Sequence, residues 1–164
     1  MNLSMIEVET LSDHGGKSVN HPKMIVVHAM CEYLVDRGIR KHAITFLDGI
    51  GLSAHILVNS VGVAFRCRRD DWIAFHAKGF NTDSLGIEIL VPGETADYSD
   101  FIRRIDEKGW CSLQQFDSVV DVCRRWRKLH DIDTIKRHSD VSPGRKRDPG
   151  NGFDWGHFLR EVMK

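Results

Sequence analysis

No stretch of this 164-residue sequence approaches 18 consecutive apolar residues, so nothing in it has the length to cross a bilayer as a helix. Net charge is missing too. The 23 Lys and Arg balance 23 Asp and Glu, and the formal charge is zero. No global field therefore draws the chain onto nucleic acid or anionic lipid, and the run Arg145-Lys-Arg147 is too short to do so alone. Cysteine is sparse: Cys31, Cys67, Cys111 and Cys123 are scattered and form no C-x-x-C. That excludes a disulfide scaffold and a zinc finger, and the thiols read as reduced. The start, Met1-Asn-Leu-Ser-Met-Ile-Glu-Val-Glu-Thr10, lacks a basic region followed by an apolar one. No secretory signal is visible, and a chain made in the cytoplasm is expected. Only four prolines occur, with no repeat or low-complexity tract, which leaves no room for a linker or a collagen-like chain. What is present is ordinary: 41% hydrophobic and 28% charged residues with mean hydropathy −0.30, the profile of one soluble globular domain with a real core.

Residues 1–23 are polar and contain Asp13-His-Gly-Gly-Lys17 and His21-Pro22, the marks of a lead-in segment or loop. The β-branched run 24–28 predicts a short buried central strand ending in His28. Residues 38–47 carry Ile39, Ala43, Phe46 and Leu47 at helical spacing. Residues 53–58 and 63–67 flank Asn59-Ser-Val-Gly62, a hairpin signal. Residues 68–83 read as irregular, and 85–90 as a further strand with Glu88 among apolar neighbours. Ser112-Leu-Gln-Gln115 is a capping box. The helix it opens predicts Leu113, Phe116, Val120, Cys123 and Trp126 on one buried face, with Arg124, Arg125, Arg127 and Lys128 at a favourable C-terminal end. Residues 134–137 predict a strand ending at His138, followed by a Pro- and Gly-punctuated loop and a closing helix over 153–163. Strands alternating with helices indicate an α/β domain, a central mixed sheet with helices on both faces.

Two expected strands thus end in histidine, His28 and His138, and Asp148 follows ten residues after the second. A hydrolytic zinc wants three N, O or S ligands and one open position, and two imidazoles with a carboxylate from separate strand ends meet that need. Nine histidines also allow chance combinations, and a surface or hydrogen-bonded structural histidine is the plain alternative at each position. Cys31, His55 and His76 are rival ligands: His55 reads as a structural histidine within a strand, and His76 as closer to substrate than to metal.

The run Arg137-His-Ser-Asp-Val-Ser-Pro-Gly-Arg-Lys-Arg-Asp-Pro-Gly150, followed by Phe153-Asp-Trp155, closely resembles the C-terminal signature of the zinc-dependent N-acetylmuramoyl-L-alanine amidases. That family includes AmpD-type recycling enzymes, phage lysozyme-amidases and animal peptidoglycan-recognition proteins. Further pieces resemble it in the same order: Ile25-Val-Val-His28, Ser53-Ala-His-Ile-Leu57, Phe75-His-Ala-Lys-Gly-Phe-Asn81 and Asp83-Ser-Leu-Gly-Ile-Glu88. The resemblance runs from about residue 24 to the C-terminus, which makes 24–164 the amidase domain and 1–23 the segment leading into it. It implies zinc, one ion per chain, on His28, His138 and Asp148. Several branches use Cys as third ligand, whereas Asp148 here matches the AmpD-type branch. A hairpin Tyr of the phage lysozyme type is replaced by Ala54. Glu88 fits the acid/base carboxylate, and Lys146 the cation facing the oxyanion.

Each assignment has a bland counterpart. Glu88 can be an edge-strand carboxylate facing water, and Lys146 one more solvated cation between Arg145 and Arg147. The four tryptophans read first as packing, with Trp72 chosen as the one lining a sugar groove, and His76 and Asn81 as holding the muropeptide. What the resemblance implies is hydrolysis of the amide between N-acetylmuramic acid and L-alanine, in a zinc cleft at the strand ends. The expected role is wall degradation of the phage or bacterial lysin type, reached from the cytoplasm through a membrane hole. The alternatives are cytosolic recycling of anhydro-muropeptides and a non-catalytic recognition module. The expected partner is peptidoglycan or a muropeptide, with no nucleic acid, no membrane insertion and a monomeric state.

Overall fold

The computed structural model describes residues 5–7 and 18–164. The Asp13-His-Gly-Gly-Lys17 loop lies outside the described residues. Among the described residues seven strands form one mixed sheet. They are β1 (Met5–Glu7), β2 (Met24–Asp36), β3 (Ile39–His42), β4 (Ile56–Val58), β5 (Ala64–Arg66), β6 (Ser84–Glu94) and β7 (Thr134–Arg137). Five helices accompany them among the described residues: α1 (Ala43–Gly49), α2 (Tyr98–Asp106), α3 (Leu113–His130), α4 (His138–Val141) and α5 (Trp155–Val162). The sheet runs β1-β5-β4-β6-β2-β3, and β7 also pairs with β2. The pairs β2–β6, β4–β6, β2–β7 and β1–β5 are parallel, while β4–β5 and β2–β3 are antiparallel.

β2 is the organising strand and is longer than the apolar run suggests. Its first residues, Ile25, Val26 and Val27, have no exposed surface, as a central strand covered on both faces requires. It continues through His28 to Asp36 and turns back into β3, so His28 lies within the strand and not at its end. Arg37 and Gly38 both have positive φ (51° and 79°), the backbone of the two-residue turn that matches strand twist. The helical stripe read over 38–47 is therefore half strand. Only Ala43 and Leu47 are buried on α1.

The hairpin at 59–62 forms as read: the Asn59 N–H donates to the Val63 carbonyl (3.0 Å), and Asn59 Oδ1 accepts from Val63 N–H (2.8 Å). α2 was not foreseen. It is capped by Asp97, whose side chain accepts from Asp100 N–H, and it buries only Phe101 and Ile105. On α3 the Ser112 cap forms, accepting from Gln115 N–H (3.1 Å). The Gln115 side chain does not return to the cap. It is fully buried and donates to the carbonyls of Val58 (3.0 Å) and Leu90 (2.8 Å), which ties the helix to β4 and β6. Val120, Cys123 and Trp126 are buried as expected and Phe116 packs against the core, but Leu113 is 70% exposed, and Val119, Val122 and Gln115 complete the buried face.

Helices do cover both faces of the sheet. Ile25, Val27, Ile56, Leu85, Ile87 and Ile89 pack with Val119, Trp126 and Phe158 of α3 and α5. Ala43 and Leu47 of α1 pack with Leu57 and Leu90 on the opposite face. Among the described residues no helix is long and apolar enough to cross a membrane.

Candidate metal centre

Strand alternation puts His28 and Glu88 on the α1 side of the sheet, directly paired across β2 and β6. β7 ends at Arg137, and His138 opens α4 beside them. The chain then folds back through residues 142–152. Gly150 takes a positive φ (84°), and an added Cβ would lie 2.4 Å from the Ile105 carbonyl oxygen. At Gly152 the same atom would lie 2.1 Å from the Glu107 carbonyl oxygen. The two glycines let the loop press against the end of α2, where Arg147 and the Asn151 N–H both bond Asp106 (2.8 Å each). That anchoring carries Asp148 inward, where the Ala29 N–H donates to its Oδ2 (3.2 Å).

Three donor atoms converge as a result. His28 Nδ1 and His138 Nδ1 are 2.9 Å apart, His138 Nδ1 and Asp148 Oδ2 are 2.9 Å apart, and His28 Nδ1 and Asp148 Oδ2 are 3.6 Å apart. All three residues are buried, and they form the one group among the described residues that could hold a metal ion. Zinc–ligand bonds of about 2.0–2.2 Å put tetrahedral neighbours roughly 3.3–3.5 Å apart, so the triangle has the size and the donor chemistry for that ion. Burial holds the His28 imidazole well below its usual pKa, with His138, His76 and Lys146 adding to the effect. A neutral ring is what a metal needs.

Glu88 is buried, with Oε1 3.9 Å from His28 Nδ1 and Oε2 without a hydrogen-bond partner among the described residues. Burial first, then the charge of Asp148, pushes its carboxyl well above the usual range, and Lys146 opposes that shift. It is not an edge carboxylate facing water. Lys146 is half-buried and lines the same cleft, whereas Arg145 and Arg147 on either side are exposed. The cleft has a volume of about 680 Å³, and His138, Asp148, Glu88 and Lys146 all line it. Phe46 and Ile50 of α1, with Tyr98 and Phe101 of α2, give it apolar walls. These walls escaped the sequence reading. The Asp97 cap with Phe101 and Ile105 four apart was the signal available for α2.

The other candidates are placed differently. His76 lines the cleft, but its Nδ1 is 2.8 Å from His28 Nε2 and its Nε2 is 3.1 Å from Ser84 Oγ. Burial, followed by the charges of His55 and His138, holds its pKa well below the usual value. Asn81 does not line the cleft. Its Oδ1 accepts from the N–H groups of His76 (3.1 Å) and Ala77 (2.7 Å). Trp72 is also outside the cleft lining, near the guanidinium groups of Arg68 and Arg69 and bridged to Val19. His55 lies just before β4, fully buried. It accepts from the Gly86 N–H at Nδ1 (2.9 Å) and faces the Trp72 carbonyl with Nε2 (3.0 Å). Burial lowers its pKa to about 4. Cys31 bonds Thr95 (3.0 Å) and takes no part in the donor triangle.

A family model for N-acetylmuramoyl-L-alanine amidase matches residues 18–151. The 1,6-anhydro-N-acetylmuramyl-L-alanine amidase AmpD of Enterobacter cloacae is 31% identical over 121 residues. That alignment takes in 66% of this chain and 56% of the relative, so the chain spans little more than half of that protein's length. Among solved structures, the N-acetylmuramoyl-L-alanine amidase LysC from Clostridium intestinale URNW superposes with TM-score 0.72 at 22% identity, over 98% of this chain and 97% of that one. AmpDh3 from Pseudomonas aeruginosa, solved in complex with anhydromuramic pentapeptide, gives 0.62 at 17% identity over 87% of this chain and 60% of that one. At those identities the two structures share its fold.

Proposed function

Because the chain belongs to the N-acetylmuramoyl-L-alanine amidase family, we propose that it hydrolyses the amide joining the lactyl group of N-acetylmuramic acid to the L-alanine of the peptidoglycan stem. The observation that carries this reading is the convergence of two imidazole nitrogens and a carboxylate oxygen beside a second buried carboxylate that lines a cleft. His28, His138 and Asp148 would hold one zinc ion, which supplies a Lewis acid that acidifies water and polarises the scissile carbonyl. The Glu88 carboxylate takes the proton of the attacking water and returns it to the leaving nitrogen as the C–N bond breaks, a role worth roughly a hundred- to ten-thousand-fold in rate. A carboxyl whose burial raises its proton affinity suits both halves of that transfer. Lys146 Nζ would face the carbonyl oxygen as its negative charge grows. Phe46 and Phe101 give apolar surface to the walls of the same cleft. An intact donor set, carboxylate and cation favour a catalyst over a recognition module.

We take intact wall, the target of a lysin, as the first substrate. A second reading, a soluble anhydro-muropeptide, is favoured by the sequence relation to the Enterobacter cloacae enzyme, whose name specifies a 1,6-anhydro sugar. Digestion of sacculi and of anhydro-muropeptides, with and without chelator, followed by mass spectrometry, tests both. The expected products carry a free lactyl carboxylate and a free L-alanine amine. Chelator abolishes them, zinc restores them, and Asp148→Ala loses metal and products together. Cleavage one bond further along the stem, or binding without turnover in zinc-replete buffer, overturns the proposal. Activity on fragments alone removes the lysin reading.

A further inference from the structure

One hydroxyl proton sets the direction of a hydrogen-bond chain that ends at the donor triangle. Ser84 Oγ lies 2.6 Å from the Phe80 carbonyl oxygen and 3.1 Å from His76 Nε2, and His76 Nδ1 lies 2.8 Å from His28 Nε2. A carbonyl has no proton to give, so Ser84 donates to it and offers His76 only lone pairs. His76 therefore carries its proton on Nε2 and presents a bare Nδ1, which accepts from the Nε2–H of His28. His28 Nδ1 is thereby left without a proton. That is the atom facing His138 Nδ1 at 2.9 Å and Asp148 Oδ2 at 3.6 Å.

From this geometry we infer that His76 is a positioning residue: with Ser84 and the Phe80 carbonyl behind it, it locks His28 in the tautomer whose Nδ1 can bind zinc. The inference rests on the metal reading above and gives the residue expected to hold muropeptide a different task. Two further features set where the His76 ring sits. Asn81 Oδ1 holds the backbone N–H groups of His76 and Ala77, setting the loop. Gly86 on β6, two residues before Glu88, leaves space for the ring. An added Cβ there would lie 2.5 Å from both Cγ and Nδ1 of His76. A ligating histidine whose second nitrogen donates to a fixed acceptor is both oriented and made more basic, and losing such a partner weakens metal binding roughly 10- to 100-fold.

The test uses the full chain and two readouts: zinc affinity by competition with a chromophoric chelator, and the tautomer of His28 by long-range proton–nitrogen NMR on metal-free protein. In the unaltered protein His28 should be the Nε2–H form. His76→Ala should give mixed tautomers and a zinc Kd weaker by roughly 10- to 100-fold. His76→Asn, which keeps an acceptor oxygen near the Nδ1 position, should recover most of that loss, and Ser84→Ala should lose several-fold. A His76→Ala protein with zinc affinity within twofold and an unchanged His28 tautomer overturns the inference. Should that variant fail to fold, unchanged affinity and tautomer in Ser84→Ala overturn it instead. If the unaltered protein binds no zinc, the metal reading falls, while the NMR measurement still decides the tautomer.

Discussion

The two faces of the β2–β6 strand pair are made from alternate residues of the same two segments, and they serve opposite ends. On the α3 side stand Ile25 and Val27 of β2 with Leu85, Ile87 and Ile89 of β6, none with any exposed surface. On the α1 side His28, Gly86 and Glu88, buried but polar or without a side chain, interrupt the apolar Val26 and Leu90. Fully burying an aliphatic side chain contributes about 1.5–3 kcal/mol, whereas burying an unpartnered polar group costs a similar amount or more. The dry face therefore offsets what the wet face costs. A sheet paired in one register supplies both, and a slip of one residue would exchange them.

Neighbouring residues on β6 separate these roles most sharply. Glu88→Gln should keep metal stoichiometry and leave the unfolding midpoint unchanged or raised, since a neutral amide is cheaper to bury, yet kcat should fall roughly a hundred- to ten-thousand-fold. Normal turnover in that variant would remove Glu88 from the mechanism. One position earlier, Ile87→Ala should cost about 2–5 kcal/mol in denaturant unfolding while zinc affinity stays within a few-fold, because the cavity opens on the α3 side. If Ile87→Ala instead loses metal as readily as stability, the two faces are not independent and the comparison fails.

The wet face was the more legible one, and for a physical reason. Chemistry needs particular residue types, so His28, His138 and Asp148 stand out of their surroundings as letters, while Glu88 and Lys146 take their expected roles from the family resemblance. The structure sets Glu88, His138, Lys146 and Asp148 in the lining of one cleft, with His28 buried against His138 and Asp148. Strand periodicity likewise exposed β2, β6, β7 and the 59–62 hairpin. What escaped depended on partners distant in the chain. The edge strand β3 carries exposed residues and no continuous apolar run, so it passed for the start of a helix, and the outer half of β2 went unread. Gln115 fits a capping box by spacing, but its amide finds two sheet carbonyls that no local pattern announces. His76 reads as a loop histidine until Gly86 and Ser84 are placed beside it.

His55 extends the contrast to pH. It sits fully buried with Nδ1 accepting from Gly86, so protonation must break that bond and place a charge in the protein interior. Its pKa of about 4 lies below the ordinary value of 6.5. Between those limits the unfolded chain binds a proton that the folded one refuses, so stability rises with pH across the window. It is fully present above pH 6.5 and lost as pH falls towards 4, on the order of 3 kcal/mol in all. Urea unfolding of the metal-free protein at several pH values should show this slope, and His55→Gln should show a shallower one. His28 and His76 act in both proteins, so the difference belongs to His55. Parallel slopes would mean that His55 titrates freely in the folded state.

The smallest effect concerns α3, where helical spacing alone put Leu113 on the buried face. It is the first residue after the cap and leaves 70% of its surface in water, while Gln115, two residues on, is enclosed. Packing in the first turn is thus set by where the Gln115 amide must reach, and the apolar residue is rotated outward. Leu113→Gln should shift unfolding free energy by no more than about 0.5 kcal/mol, as an exposed substitution between two good helix formers does. Gln115→Leu, of similar size but unable to bond the Val58 and Leu90 carbonyls, should cost more, about 1–3 kcal/mol for the acceptors left without that donor. A larger loss at Leu113 than at Gln115 would show that the apolar stripe, and not the buried amide, seats this helix on the sheet.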